Sequence, residues 1–422
     1  MSGDRCQACG VTISRYVSEP VCPTCSANTG AAGHAVIRST PIASAIWLWA
    51  APEATTAMAT RDLPTILRTY RRINGLNQIA LAELLGYDKS YVSMLETGRR
   101  AITDLASRRH IAARLGIPAH ILGVTDTDDA EYRAMLQFGD STVRLAEIAR
   151  KSGQAVEAVN ELWPLVARLE ARASEGRMER DSLVLLAHAR VALGVSLGTV
   201  LPEERLSSAA RWTGQAVKVA AHLGDPTFYA HTLRMHGNEL RKAGHIGAAV
   251  ARLEQSLELS NEPADQGSTL AFLCRAAGEL GDGERFDAAL RHYRCLLDRN
   301  TFSGLLFQPF TLREIELRGL LGTGRVLEAG RLVAVTVGTP SAPQWRIIER
   351  VTTGEVLVAI EEPSAATEAF TEAIEAAEQH RLPHQIQRTI RAAIKSGMRQ
   401  LADEAEAALQ RTRWLLGPHR AP

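Results

Sequence analysis

The chain has 422 residues, which is enough for two or three domains with a substantial core. Its formal net charge is +1, so the total charge favours no class of partner, but the charges are unevenly distributed. Residues 61–125 carry ten Lys/Arg and five Asp/Glu, whereas residues 126–422 carry 35 and 39. A compact basic segment on a slightly acidic body favours a nucleic-acid partner for that segment.

The composition is rich in Ala, Leu, Arg and Glu, which favours helices, and we expect an all-α fold. The most apolar early stretch, residues 42–51, is too short to span a bilayer, and no secretory signal precedes it. We therefore expect a cytoplasmic protein with no membrane partner. The sequence contains no phosphate-binding glycine loop, metal–carboxylate motif or nucleophile–base arrangement, so we expect no enzyme activity.

The N-terminal segment, residues 1–30, contains four cysteines in the spacing CxxC-x12-CxxC: Cys6, Cys9, Cys22 and Cys25. Two CxxC pairs place four thiolates around one ion, and tetrahedral Zn²⁺ is the usual occupant. Disulfides or a redox CxxC are the alternatives, but a reducing cytoplasm disfavours the first and no βαβ pattern supports the second. We expect a structural zinc knuckle. The other two cysteines, Cys274 and Cys295, are expected to be small buried apolar residues.

Two changes in composition mark domain boundaries. Residues 31–60 mix Ala, Gly, Thr and Ser around one short apolar segment, and we expect a linker there. The acidic run at residues 126–129 forms the second boundary. It separates a basic domain, residues 61–125, from a long C-terminal domain, residues 130–415.

The basic domain has the pattern of a five-helix bundle. Apolar residues recur at helical spacing, and the expected helices run over about residues 62–73, 78–85, 89–96, 103–115 and 118–122. Asp62, Asn77 and Asp88 stand where N-caps are needed. Gly86 supplies the left-handed turn between the second and third helices.

Residues 76–99 resemble the helix-turn-helix of the phage-repressor-like family (Cro/C1, or xenobiotic-response-element type). The resemblance rests on the small or apolar residues at the motif's restrictive positions, which are Ala82, Gly86, Val92 and Leu95. It implies that Arg71 pairs with Glu96. It also implies a set of DNA-contacting residues on and around the third helix: Gln78, Lys89, Ser90, Ser93, Met94, Arg99 and Arg100.

Within that set the resemblance assigns two kinds of contact. Lys89, Ser90 and Met94 match positions that face base edges in the major groove, with Ser93 beside them, although Met94 replaces the polar residue usual there. Gln78 and the two arginines would contact phosphates. A helical bundle of this pattern that serves only as an interaction module remains the alternative.

The C-terminal domain shows an internal period. Alanines recur at steps of 39, 40, 40 and 40 residues: Ala210, Ala249, Ala289, Ala329 and Ala369. Such periods indicate stacked helical hairpins, and residues 233–263 resemble a tetratricopeptide repeat. We expect an α-solenoid of tetratricopeptide-like hairpins, with HEAT-like or irregular helical pairs as the rival. We expect Asn238 and Arg241 to lie on a solvated helix face rather than in a groove.

Together these patterns favour a bacterial transcriptional regulator. Its partners would be operator DNA, a second copy of the chain in a homodimer, and a peptide or small-molecule ligand on the repeats. The alternative is a protein-interaction scaffold that uses the zinc knuckle and the repeats without binding DNA.

Overall fold

The computed structural model describes residues 52–415 apart from 118, 125–128, 175–177, 300–305, 336–337 and 339–341. Within the described residues the regular elements are helices, with no β-strand, so the all-α prediction is confirmed. The chain separates into two compact units. Among the described residues, one unit contains the segments 52–135 and 170–174, and the other contains the segments 136–169 and 178–414. The four cysteines predicted to bind zinc lie outside the described residues, as does most of the predicted linker.

The first unit contains a helical bundle whose elements are α1 (Pro52–Thr60), α2 (Leu63–Ile73), α3 (Gln78–Leu85), α4 (Lys89–Glu96), α5 (Leu105–Leu115) and a 3-10 turn (Ala119–Leu122). Helix α1 was not expected, because its residues fall in the predicted linker. It packs on α2 and buries two small side chains, Ala54 and Ala57. The bundle therefore begins about ten residues earlier than the sequence analysis placed it.

The capping residues predicted from the sequence are confirmed. Asp62, Asn77 and Asp88 each accept a hydrogen bond from the backbone N–H three residues later, at 3.0, 2.9 and 2.9 Å. Each cap satisfies a donor that has no partner within its helix. Gly86 has φ of 69°, so the turn between α3 and α4 uses the left-handed conformation that glycine adopts without strain.

The second unit is a helical array. Its elements are α6 (Asp129–Lys151), α7 (Ala155–Ser174), α8 (Arg180–Val200), a 3-10 turn (Glu203–Arg205), α9 (Leu206–Leu223), α10 (Pro226–Lys242), α11 (Ile246–Leu259), α12 (Pro263–Leu280), α13 (Gly283–Arg299), α14 (Pro309–Gly322), α15 (Val326–Val333), α16 (Pro343–Ala359), α17 (Pro363–Gln379), α18 (Pro383–Lys395) and α19 (Arg399–Leu415). Five consecutive hairpins run from α8/α9 to α16/α17. The first helix of each hairpin packs on the first helix of the next, and α16 packs on α18.

The recurring alanines lie at equivalent places in this array. Each belongs to the second helix of its hairpin, and all five are buried, with exposed fractions between 0 and 6%. The two helices of the second hairpin, α10 and α11, cross closely at Gly237. A Cβ there would lie 2.8 Å from Leu253 Cγ and 3.3 Å from the Ala249 carbonyl oxygen. The period therefore marks the contact between the two helices of each hairpin.

Two further features of the array bear on the expectations. Cys274 is buried as predicted, but Cys295 is exposed, so the expectation for Cys295 was wrong. Helix α8 is long and apolar enough to cross a membrane by length and composition alone, but 78% of its most apolar window is buried inside the array. It packs against α9 and α10, as a core helix of a helical-repeat protein does.

Candidate functional site

Helix α4 is held in the bundle by one of its faces. Val92 and Leu95 are fully buried, and Tyr91 is nearly so. The Tyr91 ring meets the Tyr87 ring edge-on, with centroids 5.1 Å apart. Tyr87 in turn contacts the ring of His110 on α5, at 5.9 Å. These contacts fix the rotation of α4 about its axis, and so determine which side chains face outward.

The opposite face of α4 carries the residues predicted to read base edges. Lys89 and Ser90 are exposed, whereas Ser93 and Met94 are half-buried. The Ser90 hydroxyl donates to Asp88 Oδ1 at 2.6 Å, which leaves its oxygen able to accept a hydrogen bond. Within the described part of the chain, the Lys89 ammonium has no hydrogen bond or ion pair. This face is therefore free to meet a partner.

Glu96 organises the space between α2, α3 and α4. Its side chain is almost fully buried and accepts hydrogen bonds from Arg71 Nε and Gln78 Nε2, both at 2.7 Å. Arg68 donates to the Glu96 carbonyl oxygen, also at 2.7 Å. The implied pair between Arg71 and Glu96 is thus present. The amide nitrogen of Gln78 is engaged inside the protein, so its carbonyl oxygen and backbone N–H are the groups left near the start of α3.

The other basic residues of the bundle fall into two groups. Arg108 is structural, since it donates from Nε to the Ile102 carbonyl and from a terminal nitrogen to the Leu122 carbonyl, both at 2.9 Å. Arg99 and Arg100 follow α4 and are exposed. Neither guanidinium has a hydrogen bond or ion pair to another described residue. They extend the free basic surface that begins at Lys89.

A second site lies inside the repeat array. A cavity of ≈ 320 Å³ is lined mainly by residues from α6, from the first helices of the hairpins and from α18. Asn238 and Arg241 line it and are only 6 and 8% exposed, so placing them on a solvated face was wrong. Arg241 donates to Asn238 Oδ1 at 3.1 Å and pairs with Glu279 on α12 at 2.5 Å. The neighbouring hairpin therefore buries these residues.

Buried ion pairs join successive first helices of the array. Four of them link a guanidinium on one helix to a carboxylate on a neighbouring helix: Arg241–Glu279, Arg275–Glu314, Arg313–Glu349 and Arg388–Glu355. We call these four pairs the ion-pair ladder. Burial lowers the pKa of Arg275 to about 10, whereas Glu314 pulls it up. Burial raises the pKa of Glu314, but Arg275 and Arg318 lower it further, to about 2. Both groups stay charged at neutral pH.

The ion-pair ladder was not predicted, although the sequence contains a signal for it. The paired residues are separated by 38, 39, 36 and 33 residues, which is close to one repeat. An Arg and a Glu that recur one period apart on first helices therefore indicate contacts between repeats. The alanine period alone located the contacts within each hairpin.

Comparison with known proteins bears on the bundle. A family model for the Cro/C1-type helix-turn-helix matches residues 67–106, from within α2 to the start of α5. Residues 67–106 form a helix-turn-helix domain. No curated protein matches the chain. Among solved structures, Bacillus thuringiensis PlcR in complex with the peptide PapR7 and DNA covers 82% of this chain and 99% of its own, at 15% identity and a TM-score of 0.29. A TM-score this low does not establish a shared fold.

Proposed function

We propose that the chain is a sequence-specific DNA-binding transcriptional regulator. The observation that carries this proposal is α4 of the helix-turn-helix domain, which is anchored by Val92 and Leu95 and presents an uncommitted polar and basic face. A helix held in this way fits the major groove of B-DNA, where base edges are readable.

The proposed contacts follow from where each side chain lies. Lys89 donates to guanine acceptors, Ser90 accepts from or donates to a neighbouring base, and Met94 touches a thymine methyl group. Ser93 lies beside them and contacts base or phosphate. The phosphate contacts come from Arg99, Arg100 and the start of α3 at Gln78, where the helix N-terminus adds partial positive charge.

The repeat array supplies the second half of the proposed function. We propose that its hairpins are tetratricopeptide-like, and that the array senses a peptide or small ligand or mediates homodimerisation in a bacterial cytoplasm. A homodimer would place two α4 helices about 34 Å apart, on two half-sites of a near-palindromic operator. No step of this function is catalytic.

The N-terminal cysteines are proposed to hold one structural Zn²⁺ through Cys6, Cys9, Cys22 and Cys25. Elemental analysis of the purified full chain should give one zinc per chain, and Cys9→Ser with Cys22→Ser should abolish it. Cys295→Ser, at an exposed cysteine, is the matched control and should retain the zinc. Loss of zinc in the control, or zinc retained in the double variant, contradicts the assignment.

Selection of bound sequences from a random double-stranded DNA library tests the function directly. The full chain should enrich a motif with two related half-sites. The alternative function, an interaction scaffold that uses the zinc knuckle and the repeats without binding DNA, predicts retention no greater than for a non-binding control protein and no enriched motif. That outcome would end the regulator proposal.

A further inference from the structure

The cavity of the repeat array is bounded rather than open along its length. The 3-10 turn after α8 meets α18, although about 184 residues separate them: the Glu203 backbone N–H donates to Gln387 Oε1 at 2.8 Å. Gln387 Nε2 donates to Glu204 at 3.0 Å, and Arg391 pairs with Glu203. A volume of ≈ 320 Å³ is at the small end of ligand sites, which run from about 300 to 1,000 Å³. The space suits a small molecule better than an extended peptide.

The lining of the cavity combines apolar and cationic groups. Its apolar part includes Met235, Phe272, Trp345 and Ile348. Its charged part consists of one carboxylate, Glu147, and seven cations: Arg150, Lys151, Arg234, Arg241, Lys242, Arg275 and Arg318. Such a lining favours a ligand that has both an apolar body and a negative charge.

Neighbouring carboxylates neutralise most of these cations, but not all. Five of the seven form ion pairs: Arg234 with Asp265, Arg241 with Glu279, Lys242 with Glu239, Arg275 with Glu314, and Arg318 with Glu279 and Glu314. Arg150 and Lys151 form no ion pair with any described residue. Seven cations therefore face five carboxylates, Glu147 included, which leaves an excess of two positive charges.

Of the two cations without an ion pair, Arg150 is partly buried, whereas Lys151 is exposed to water. Arg150 lies on the last turn of α6, and burial lowers its pKa, while Glu147 and Glu239 oppose that shift from a distance. An uncompensated cation in such a place is costly unless an anion joins it. The planar guanidinium fork is matched to the two oxygens of a carboxylate. The cavity also offers an aromatic wall, since Phe272 and Trp345 line it.

We infer that this cavity binds a small apolar carboxylic acid, with its carboxylate on Arg150 and its apolar body against Phe272 and Trp345. The inference rests on the sensing part of the proposed function and specifies its ligand class. The cationic lining would then select negatively charged ligands, because an uncharged analogue leaves the Arg150 guanidinium without an anion.

Binding of 4-phenylbutyrate and of its uncharged amide, 4-phenylbutyramide, to the full chain tests the inference by calorimetry and by thermal shift. The acid should raise the melting temperature and bind at least about tenfold more tightly than the amide. Arg150→Gln should remove that tenfold preference, whereas Arg150→Lys should keep part of it. Arg144→Gln, at an exposed arginine on the same helix, is the matched control and should bind like the wild type.

Several results would overturn the inference. Equal binding of the acid and the amide would show an apolar pocket without charge selection. A shift with inorganic phosphate as large as that with the acid would show a simple anion site. A shift with a mixture of random heptapeptides but none with the acid would show a peptide groove, and no shift with any probe would show no such site. None of these results touches the DNA selection described above, so a failure of this inference and a failure of the regulator proposal are distinguishable.

Discussion

In the helix-turn-helix bundle the basic residues lie mainly on the outside, around one buried carboxylate at Glu96, whereas the repeat array buries arginines and glutamates between its helices. The bundle keeps Lys89 and Arg99 free for a partner with many negative charges. The array uses most of its charges to join one hairpin to the next. Both units contain many arginines. Those of the first unit are mostly exposed and available to a partner, whereas the buried arginines of the second unit mostly pair with carboxylates and hold the hairpins together.

Removing a carboxylate of the ion-pair ladder should give the largest effect on stability. Glu314→Ala leaves Arg275 and Arg318 without their shared partner in a fully buried position. Breaking such a pair costs about 3–5 kcal/mol, and urea denaturation followed by circular dichroism measures it. Glu372→Ala removes the exposed partner of Arg350 and should cost less than about 1 kcal/mol. Equal costs for the two variants would mean that the ladder stabilises the array no more than a surface pair does.

A substitution where α13 and α14 cross tests how closely the helices of the array pack. Gly319→Ala on α14 would place a methyl group onto the Phe286 ring of α13, and we expect a loss of about 1–3 kcal/mol in the free energy of unfolding. Gly247→Ala is the matched control, because a Cβ there meets nothing within 4 Å. That helical site should gain about 0.5–1 kcal/mol. If Gly319→Ala left the free energy of unfolding unchanged, α13 and α14 would cross less closely than they do in the structure.

Removing the buried carboxylate of the bundle, Glu96, should lower the free energy of unfolding by less than removing Glu314 from the array. Glu96→Ala removes the acceptor of Arg71 and Gln78, but Arg71 is 31% exposed and can recover water. We expect a loss of about 1–2 kcal/mol for the bundle, measured by thermal unfolding. Glu83→Ala, at an exposed position of α3, should leave stability unchanged within about 0.5 kcal/mol. A loss as large as that for Glu314→Ala would remove the contrast between the two units.

Acid should weaken the array through its buried histidines. Burial lowers the pKa of His236 to about 4, with Arg252 adding to the shift, and the ring hydrogen-bonds the Thr213 hydroxyl at 3.0 Å. Because the unfolded chain binds the proton at about pH 6.5 and the folded chain does not, stability is lost as pH falls from about 6.5 towards 4. His236→Asn should reduce the loss between pH 7 and 5 by about 1 kcal/mol. An unchanged pH dependence of the urea midpoint in this variant would contradict that origin.

The parts of the fold that depend on local chemistry were predictable from the sequence. The caps at Asp62, Asn77 and Asp88 and the turn at Gly86 depend on neighbouring residues, and all four are where the pattern placed them. Helix α1 was missed because its buried residues are alanines, which give little contrast between faces.

Burial of Arg241 could not be inferred from its own helix. It depends on Glu279 of the next hairpin, 38 residues later. The sequence of a single helix with such an arginine predicts that the arginine is exposed to solvent. The outward face of α4 was easier to predict, since Val92 and Leu95 fix it within a few residues. Local patterns thus determine which residues of the bundle are free, while the array's interior requires the pairing of distant repeats.

The most direct test of the regulator proposal is the binding of Lys89→Ala and Arg99→Ala to the sequence selected by the wild-type chain, measured over a range of salt concentrations. Lys89→Ala should cost about 1–3 kcal/mol and relax the preference at one base pair. Arg99→Ala should weaken binding to all sequences and reduce the salt dependence by about one phosphate contact. If Lys89→Ala leaves the base preference intact at every position, α4 does not read the DNA and the account of this protein fails.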